Sequence, residues 1–333
     1  DDQSQPAAGA DAVQRMITQE KVDFILGPYT SGVTMAVAPI LEKYKVPMIT
    51  GSAESPKIWR QKFKYTFGDI PAVDLTGSSP LATLASMNPK PTKIAIIGVN
   101  DTFSQATAEA FREAAKKNGM DVVKYDIVPP GTDFTPIISA IKALNPDILA
   151  VGGHEKEHME VIKAAKSLDF IPKAFLMHYG ITTPDFTKNL GKDADYVIGA
   201  AVWTPDMNFK DPLFGDTKAY LEKSKARWGS TPDYTEAAST AAGEVFEAAL
   251  AKVGAKPPLS EKDREGLVTA LEQIQVDTFY GPIKFATDGN WYHDNVGLTP
   301  LTIQLKGAEQ LIVGPANLKK ADLKYPVPGW KER

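Results

Sequence analysis

Two consecutive stretches near the start of the chain each read strand, turn, helix, and that order limits the fold more than any other feature. Phe24-Ile25-Leu26 is a short apolar run that breaks at Gly27-Pro28. Thr30-Ser31-Gly32 then leads into a helical pattern with Val33, Val37, Ile40 and Leu41 on one face. A second run, Pro47-Met48-Ile49, breaks at Gly51; Ser52, Ala53, Glu54 and Ser55 follow, and Pro56 opens another helix. Strands joined through helices pair in parallel, because the helix is the crossover. The turns that follow them lie together at the carboxyl ends of the strands. Both turns here offer hydroxyls and N–H groups. A helix N-terminus attracts anions through its unpaired N–H groups and partial positive charge. Two such turns side by side suit a carboxylate. The same serines and threonines also serve as plain helix caps, and the residues alone leave both readings open.

The rhythm continues. A helix is expected over residues 10–20, with Ala12, Val13, Met16 and Ile17 inward. Strands are expected at Tyr65–Phe67, Ile94–Val99, Val122–Val128, Ile148–Val151, Ala174–Met177 and Val197–Val202. Helices fill the gaps, among them Phe134–Leu144 and Met159–Ser167. Alternation of this kind predicts an α/β fold with a doubly wound parallel sheet. It stops at Trp203-Thr204-Pro205-Asp206, after which helices over 211–228, 234–253 and 261–275 follow in succession. Short β segments at 282–285, 300–306 and 309–313 precede a tail, Tyr325-Pro326-Val327-Pro328, too rich in proline for helix or central strand.

Composition removes several functions. The net charge of −4 and the lack of a basic tract give nucleic-acid binding no electrostatic support. No apolar run reaches membrane-spanning length. The absence of cysteine excludes disulfides, thiolate metal sites and a cysteine nucleophile. The chain opens Asp1-Asp2-Gln3-Ser4 with no signal peptide, as a secreted protein in mature form would. Neither G-x-S-x-G nor a P-loop is present, and Gly27 and Gly32 form no dinucleotide fingerprint. His154-Glu155-Lys156-Glu157-His158 fits the H-E-x-x-H zinc-hydrolase pattern, for which His178 would be the third ligand. That motif needs both histidines on one helical face. His154 directly follows Gly152-Gly153 at a strand end, so the match is read as accidental. No catalytic residue, metal or cofactor is expected.

The order and spacing of several short marks resemble the substrate-binding proteins of branched-chain amino-acid-type ABC transporters. These marks are Asp1-Asp2-Gln3-Ser4, Gly27-Pro28 with Thr30-Ser31, Val46-Pro47-Met48-Ile49, Lys64-Tyr65-Thr66-Phe67, Asp101-Thr102-Phe103, Asn145-Pro146-Asp147, Gly281-Pro282-Ile283-Lys284-Phe285 and Tyr325-Pro326-Val327-Pro328. The resemblance implies the type I periplasmic binding fold: two doubly wound lobes that clasp a ligand, with three crossings between them. Carried over, residues 1–70 with 204–296 form the N-terminal lobe. Residues 71–203 with 297–314 form the C-terminal lobe, and 315–333 a tail. The family begins with a strand–helix–strand unit of roughly 30 residues or more ahead of Asp1-Asp2-Gln3-Ser4, so the first lobe is expected to be incomplete or completed from outside.

The resemblance also implies the ligand set. Thr30 and Ser31 at the first turn, with Ser52, Ala53 and Glu54 at the second, match the family's carboxylate site. Phe103, His154, Tyr179 and Glu236 match the positions that enclose the rest of the ligand, and Trp203, at a crossing between the lobes, either walls the pocket or packs the core. Asp69, Asp101 and Asp206 either stiffen turns and cap helices or lie near the cleft. Two departures bear on the ligand. Glu54 stands where the family often has threonine or serine, and a second carboxylate repels a bound one. Tyr179 stands where an acidic residue holds an α-ammonium, and a phenol lacks that charge. The expected ligand is therefore a small carboxylate without the amine, aromatic or hydrophobic in body. The family implies a monomer that hands its ligand to an ABC permease in the periplasm, or outside the cell on a lipid anchor. The alternatives are a branched-chain or other hydrophobic amino-acid receptor, a cytosolic small-molecule sensor, and a zinc hydrolase using His154 and His158.

Overall fold

Pro6 at the first helical position starts α1 (Pro6–Thr18). Its fixed φ suits a helix, and its missing N–H would have had no helical partner there. That places the helix four residues earlier than its apolar periodicity suggests. β1 (Ile25–Leu26), α2 (Ser31–Tyr44), β2 (Met48–Thr50), α3 (Pro56–Arg60) and β3 (Thr66–Gly68) follow. The three strands pair in parallel in the order β1-β2-β3. The structure, a computed structural model, describes residues 1–333.

The chain divides into two units, Asp1–Ala72 with Trp203–Thr299 and Val73–Val202 with Pro300–Arg333. The second unit contains α4 (Val73–Thr76), α5 (Ser78–Ala85), β4 (Lys93–Val99), α6 (Thr102–Lys117), β5 (Asp121–Val128) and α7 (Thr135–Leu144). It continues with β6 (Ile148–Gly152), α8 (Glu155–Ser167), β7 (Ala174–Leu176), α9 (Pro184–Leu190) and β8 (Ile198–Ala201). The chain then returns to the first unit for β9 (Lys210–Asp211), β10 (Gly215–Asp216), α10 (Thr217–Trp228), α11 (Tyr234–Val253), α12 (Glu261–Glu272), β11 (Val276–Thr278) and β12 (Gly281–Ile283). The hairpin β13 (Leu301–Lys306) and β14 (Glu309–Gly314) belongs to the second unit.

The sheet of the second unit has seven strands in the order β14-β13-β8-β7-β6-β4-β5. The five from β5 to β8 run parallel and the hairpin adds an antiparallel edge. Ile94, Ile96, Ile148, Ala150 and Leu176 face α5 and α6 in a core closed by Leu81, Leu84 and Phe111. Burying each large aliphatic or aromatic side chain contributes about 1.5–3 kcal/mol. α6 lies so close to β6 that a Cβ on Gly152 would stand 2.5 Å from the Ser104 carbonyl oxygen.

Residues 315–333 are part of the second unit and not a separate tail. Lys324 and Gln304 exchange hydrogen bonds of 2.8 and 3.0 Å, and the Val327 N–H reaches the Lys173 carbonyl at 2.9 Å. The Arg333 guanidinium donates to the carbonyls of Asp193 and Asp195, each at 3.0 Å. Trp203 belongs to the first unit, where its indole N–H meets the Phe279 carbonyl at 3.2 Å and its ring stacks on Tyr280.

Candidate functional site

In the first unit the parallel pairing of β1 with β2 brings their turns together. Thr30 caps α2, its hydroxyl accepting the Val33 N–H at 3.3 Å. Ser31, the first helical residue, is buried and points across to the second turn. Its Oγ accepts the N–H groups of Glu54 at 3.2 Å and Ser55 at 3.1 Å. Thr50 does the parallel job one step back: its hydroxyl accepts the N–H groups of Ala53 at 3.1 Å and Ser52 at 3.4 Å and donates to the Pro28 carbonyl at 2.6 Å. A hydroxyl has two lone pairs and one proton. Thr50 uses all three, whereas Ser31 has both lone pairs filled and its proton left over.

Beside it the buried Ser55 hydroxyl has no partner. In sequence Ser55 is only a member of the second turn, and no local pattern flags a hydroxyl left over after its neighbours have bonded. Ser52 is half-buried, while Ala53 and Glu54 are buried with Ser31. Glu236 is exposed and its carboxylate accepts the Asp233 N–H at 2.8 Å, closing a capping box at the start of α11. Asp69, just after β3, is fully buried, and neither carboxylate oxygen has a partner. Burial pushes its pKa well above the ordinary aspartate value. The buried Tyr280 hydroxyl is likewise unpartnered, and burial, then the nearby Asp69, Glu54 and Asp233, push its pKa up.

In the second unit β4 and β6 are neighbours, with Gly98 opposite Gly152. Their exits carry Asp101 and His154, the N-cap residues of α6 and α8. Asp101 Oδ1 accepts the N–H groups of Phe103 and Ser104, each at 2.9 Å. The His154 N–H is held by the Glu157 carboxylate at 3.1 Å. His154 Nε2 stands 3.6 Å from Asp101 Oδ1, and the Phe103 ring lies against the imidazole at 5.1 Å between centroids. Burial works to lower the His154 pKa, but the Asp101 carboxylate outweighs it and the net shift is upward. Burial would raise the Asp101 pKa, but His154 and the Ser104 N–H hold it below the ordinary value.

Behind this pair His158 and His178 are fully buried. Burial is the main cause that lowers each to about 3, so both are neutral. His178 Nε2 is 2.9 Å from the Thr76 hydroxyl, and Tyr179 packs edge-on against its ring. The two histidines of H-E-x-x-H thus differ in kind: His154 caps the helix from outside and His158 is sealed in the core. No group of three or more histidine, aspartate or glutamate side chains gathers at metal-binding distance.

Both units place strand-end turns side by side on a parallel sheet, with hydroxyls in the first and a His–Asp pair in the second. The chain belongs to the periplasmic binding protein family, whose model matches residues 1–299. It is 26% identical over 295 residues to the Leu/Ile/Val-binding protein BraC3 of Rhizobium johnstonii, covering 87% of this chain and 76% of that one. Against the Leu/Ile/Val-binding protein homolog 3 of Brucella melitensis it is 27% identical over 158 residues, 47% of this chain and 42% of the relative, so the match spans less than half of either. A solute-binding protein of an ABC transporter from Rhodopseudomonas palustris, solved with 3,4-dihydroxybenzoic acid, superposes with a TM-score of 0.79 at 18% identity over 100% of this chain and 87% of its own. The shared architecture is the type I periplasmic binding fold. No helix is long and apolar enough to cross a membrane.

Proposed function

We propose that the chain is an extracytoplasmic receptor that captures a small carboxylate with an aromatic or hydrophobic body by lobe closure and delivers it to an ABC permease. The observation that carries this reading is the Ser31 hydroxyl. With both lone pairs occupied by the Glu54 and Ser55 N–H groups, its proton needs an acceptor. The unpartnered Ser55 hydroxyl beside it is a second donor. Two spare O–H donors would suit the two oxygens of a carboxylate. Phe103, His154, Tyr179 and Trp203 then supply the apolar, aromatic surroundings that a flat body prefers. Ligand turnover has no support in either unit, and purified protein is expected to return its ligand unchanged after prolonged incubation.

Titration calorimetry tests the carboxylate site. Hydrogen bonds to an ionised group contribute about 1.5–3 kcal/mol, so Ser31→Ala is expected to weaken binding of an aromatic acid by that amount. An unchanged affinity would remove Ser31 from the site.

A second reading, a branched-chain or other hydrophobic amino acid, is favoured by one feature of the first unit. The Asp69 carboxyl is buried without a partner, and an ammonium would satisfy it. Phenylalanine compared with its deaminated acid separates the two. Tenfold tighter binding of phenylalanine, lost in Asp69→Asn, would establish the amine reading and displace the organic acid.

A further inference from the structure

Asp101 and His154 are more closely matched to one chemical group than aromatic surroundings require. The two atoms that face each other, His154 Nε2 and Asp101 Oδ1, are 3.6 Å apart. That is too far for a good hydrogen bond between them. Asp101 Oδ1 already accepts the N–H groups of Phe103 and Ser104, so the oxygen left to accept from a ligand is Oδ2. An oxygen bound between His154 Nε2 and Asp101 Oδ2 meets a donor on one side and an acceptor on the other. The ring N–H of His154 donates, and the Asp101 carboxylate only accepts. A hydroxyl does both at once.

Charge narrows the choice further. The groups that face His154 are Asp101 from the start of α6, Glu157 from its own helix and the neutral His158 behind it. An anionic group on the ligand would meet the Asp101 carboxylate, and a cationic group would meet the donor N–H of an imidazole that Asp101 holds towards its charged form. A neutral hydroxyl opposes neither. Both side chains are positioned by their backbones: Asp101 by the N–H groups of Phe103 and Ser104, His154 by its place at the start of α8 and the Glu157 carboxylate. Their side chains remain 33% and 39% exposed, whereas His158 and His178 beside them are sealed. The Phe103 ring, 5.1 Å from the imidazole, offers a flat apolar face next to the polar pair.

We propose that Asp101 and His154 together recognise a hydroxyl on the body of the ligand, so that the favoured ligand class is the hydroxylated organic acids, with a ring hydroxyl held between His154 Nε2 and Asp101. This rests on the reading of the chain as a carboxylate receptor.

The test is titration calorimetry at pH 7 with benzoate, 3-hydroxybenzoate and 4-hydroxybenzoate. At least one hydroxybenzoate is expected to bind tenfold or more tighter than benzoate. His154→Phe keeps a flat ring and removes the donor; Asp101→Ser keeps a good helix cap and withdraws the acceptor. Each is expected to cut the hydroxyl preference, read as the ratio of hydroxybenzoate to benzoate affinity within the same variant, to less than threefold. Equal binding of all three acids to the unaltered protein overturns the inference and leaves the carboxylate reading standing. So does equal weakening of benzoate and hydroxybenzoate in both variants, which would make the pair a wall. If none of the acids binds, the carboxylate reading falls and this inference with it. The comparison of acids on the unaltered protein needs no variant, so misfolding of either substitution does not remove the test.

Discussion

A buried acid is tolerated when it keeps its proton. Glu244 on α11 is 9% exposed, and burial, then the Asp211 carboxyl beside it, push its pKa up to about 9. The N–H groups of Leu213, Phe214 and Phe279 all point at Asp211, so the proton of the pair sits on Glu244. The folded protein therefore holds a proton that the unfolded chain releases near the ordinary glutamate value. The stability linked to it is fully present below about pH 4.5 and is lost progressively as pH rises towards 9. Glu244→Gln supplies a permanent donor. Its melting temperature is expected to match or fall below that of the parent at pH 5 and to exceed it at pH 8.5. Parallel melting curves for the two proteins from pH 5 to 8.5 would show that no proton is shared there. The same logic applies to the hydroxyls at the candidate site: what Ser31 has left to offer depends on which bonds it has already made.

At the scale of elements, the strand–helix rhythm was legible because each strand is an apolar run closed by a small, polar turn. The elements that escaped are those whose start depends on a polar side chain. α8 begins at Glu155, four residues before its apolar face does, because Glu157 reaches back to the His154 N–H and two acidic residues suit the helix N-terminus. Residues 211–216, read as the first turn of a helix, form the hairpin of β9 and β10. Asp211 there turns its carboxylate on Leu213 and Phe214, and Asp216 caps α10 through the Ala219 N–H at 2.9 Å. Of the candidate site, the two neighbouring turns of the first unit were visible in one continuous stretch. The 53-residue separation of Asp101 and His154 hid their pairing, which follows only from β4 lying next to β6. That adjacency is tight enough to test. In Gly152→Ala the new methyl would meet backbone atoms of Ser104 and Ala108 at 2.5 and 2.7 Å, and neither can move without shifting α6. Urea denaturation is expected to show a loss of about 1–3 kcal/mol, in the range for overpacking. An unchanged midpoint would mean that α6 slides freely on the sheet.

At the scale of the whole molecule, capture by closure predicts that ligand binds the native state alone. The folding stability should then rise by RT ln(1 + [L]/Kd), about 2.7 kcal/mol at a hundredfold excess over Kd, and the melting temperature rises with it. A thermal-shift screen of hydroxybenzoates, benzoate, phenylalanine and leucine measures this directly, and small-angle scattering with the best of them should record a smaller radius of gyration. A ligand that raises the melting temperature without changing the scattering would separate binding from closure.

The first unit has a further consequence, which concerns its order of synthesis. It is assembled from residues 1–72 and 203–299, so the Ser31 turn is made long before the helices α10–α12 that complete its unit. At about 5–20 residues per second, its opening segment waits on the order of ten to forty-five seconds for the last of its partners. Through that interval Val37, Leu41, Met48 and Ile49, all buried in the finished protein, are without part of their final cover. The Ser31 turn is thus translated well before the helices that complete its unit.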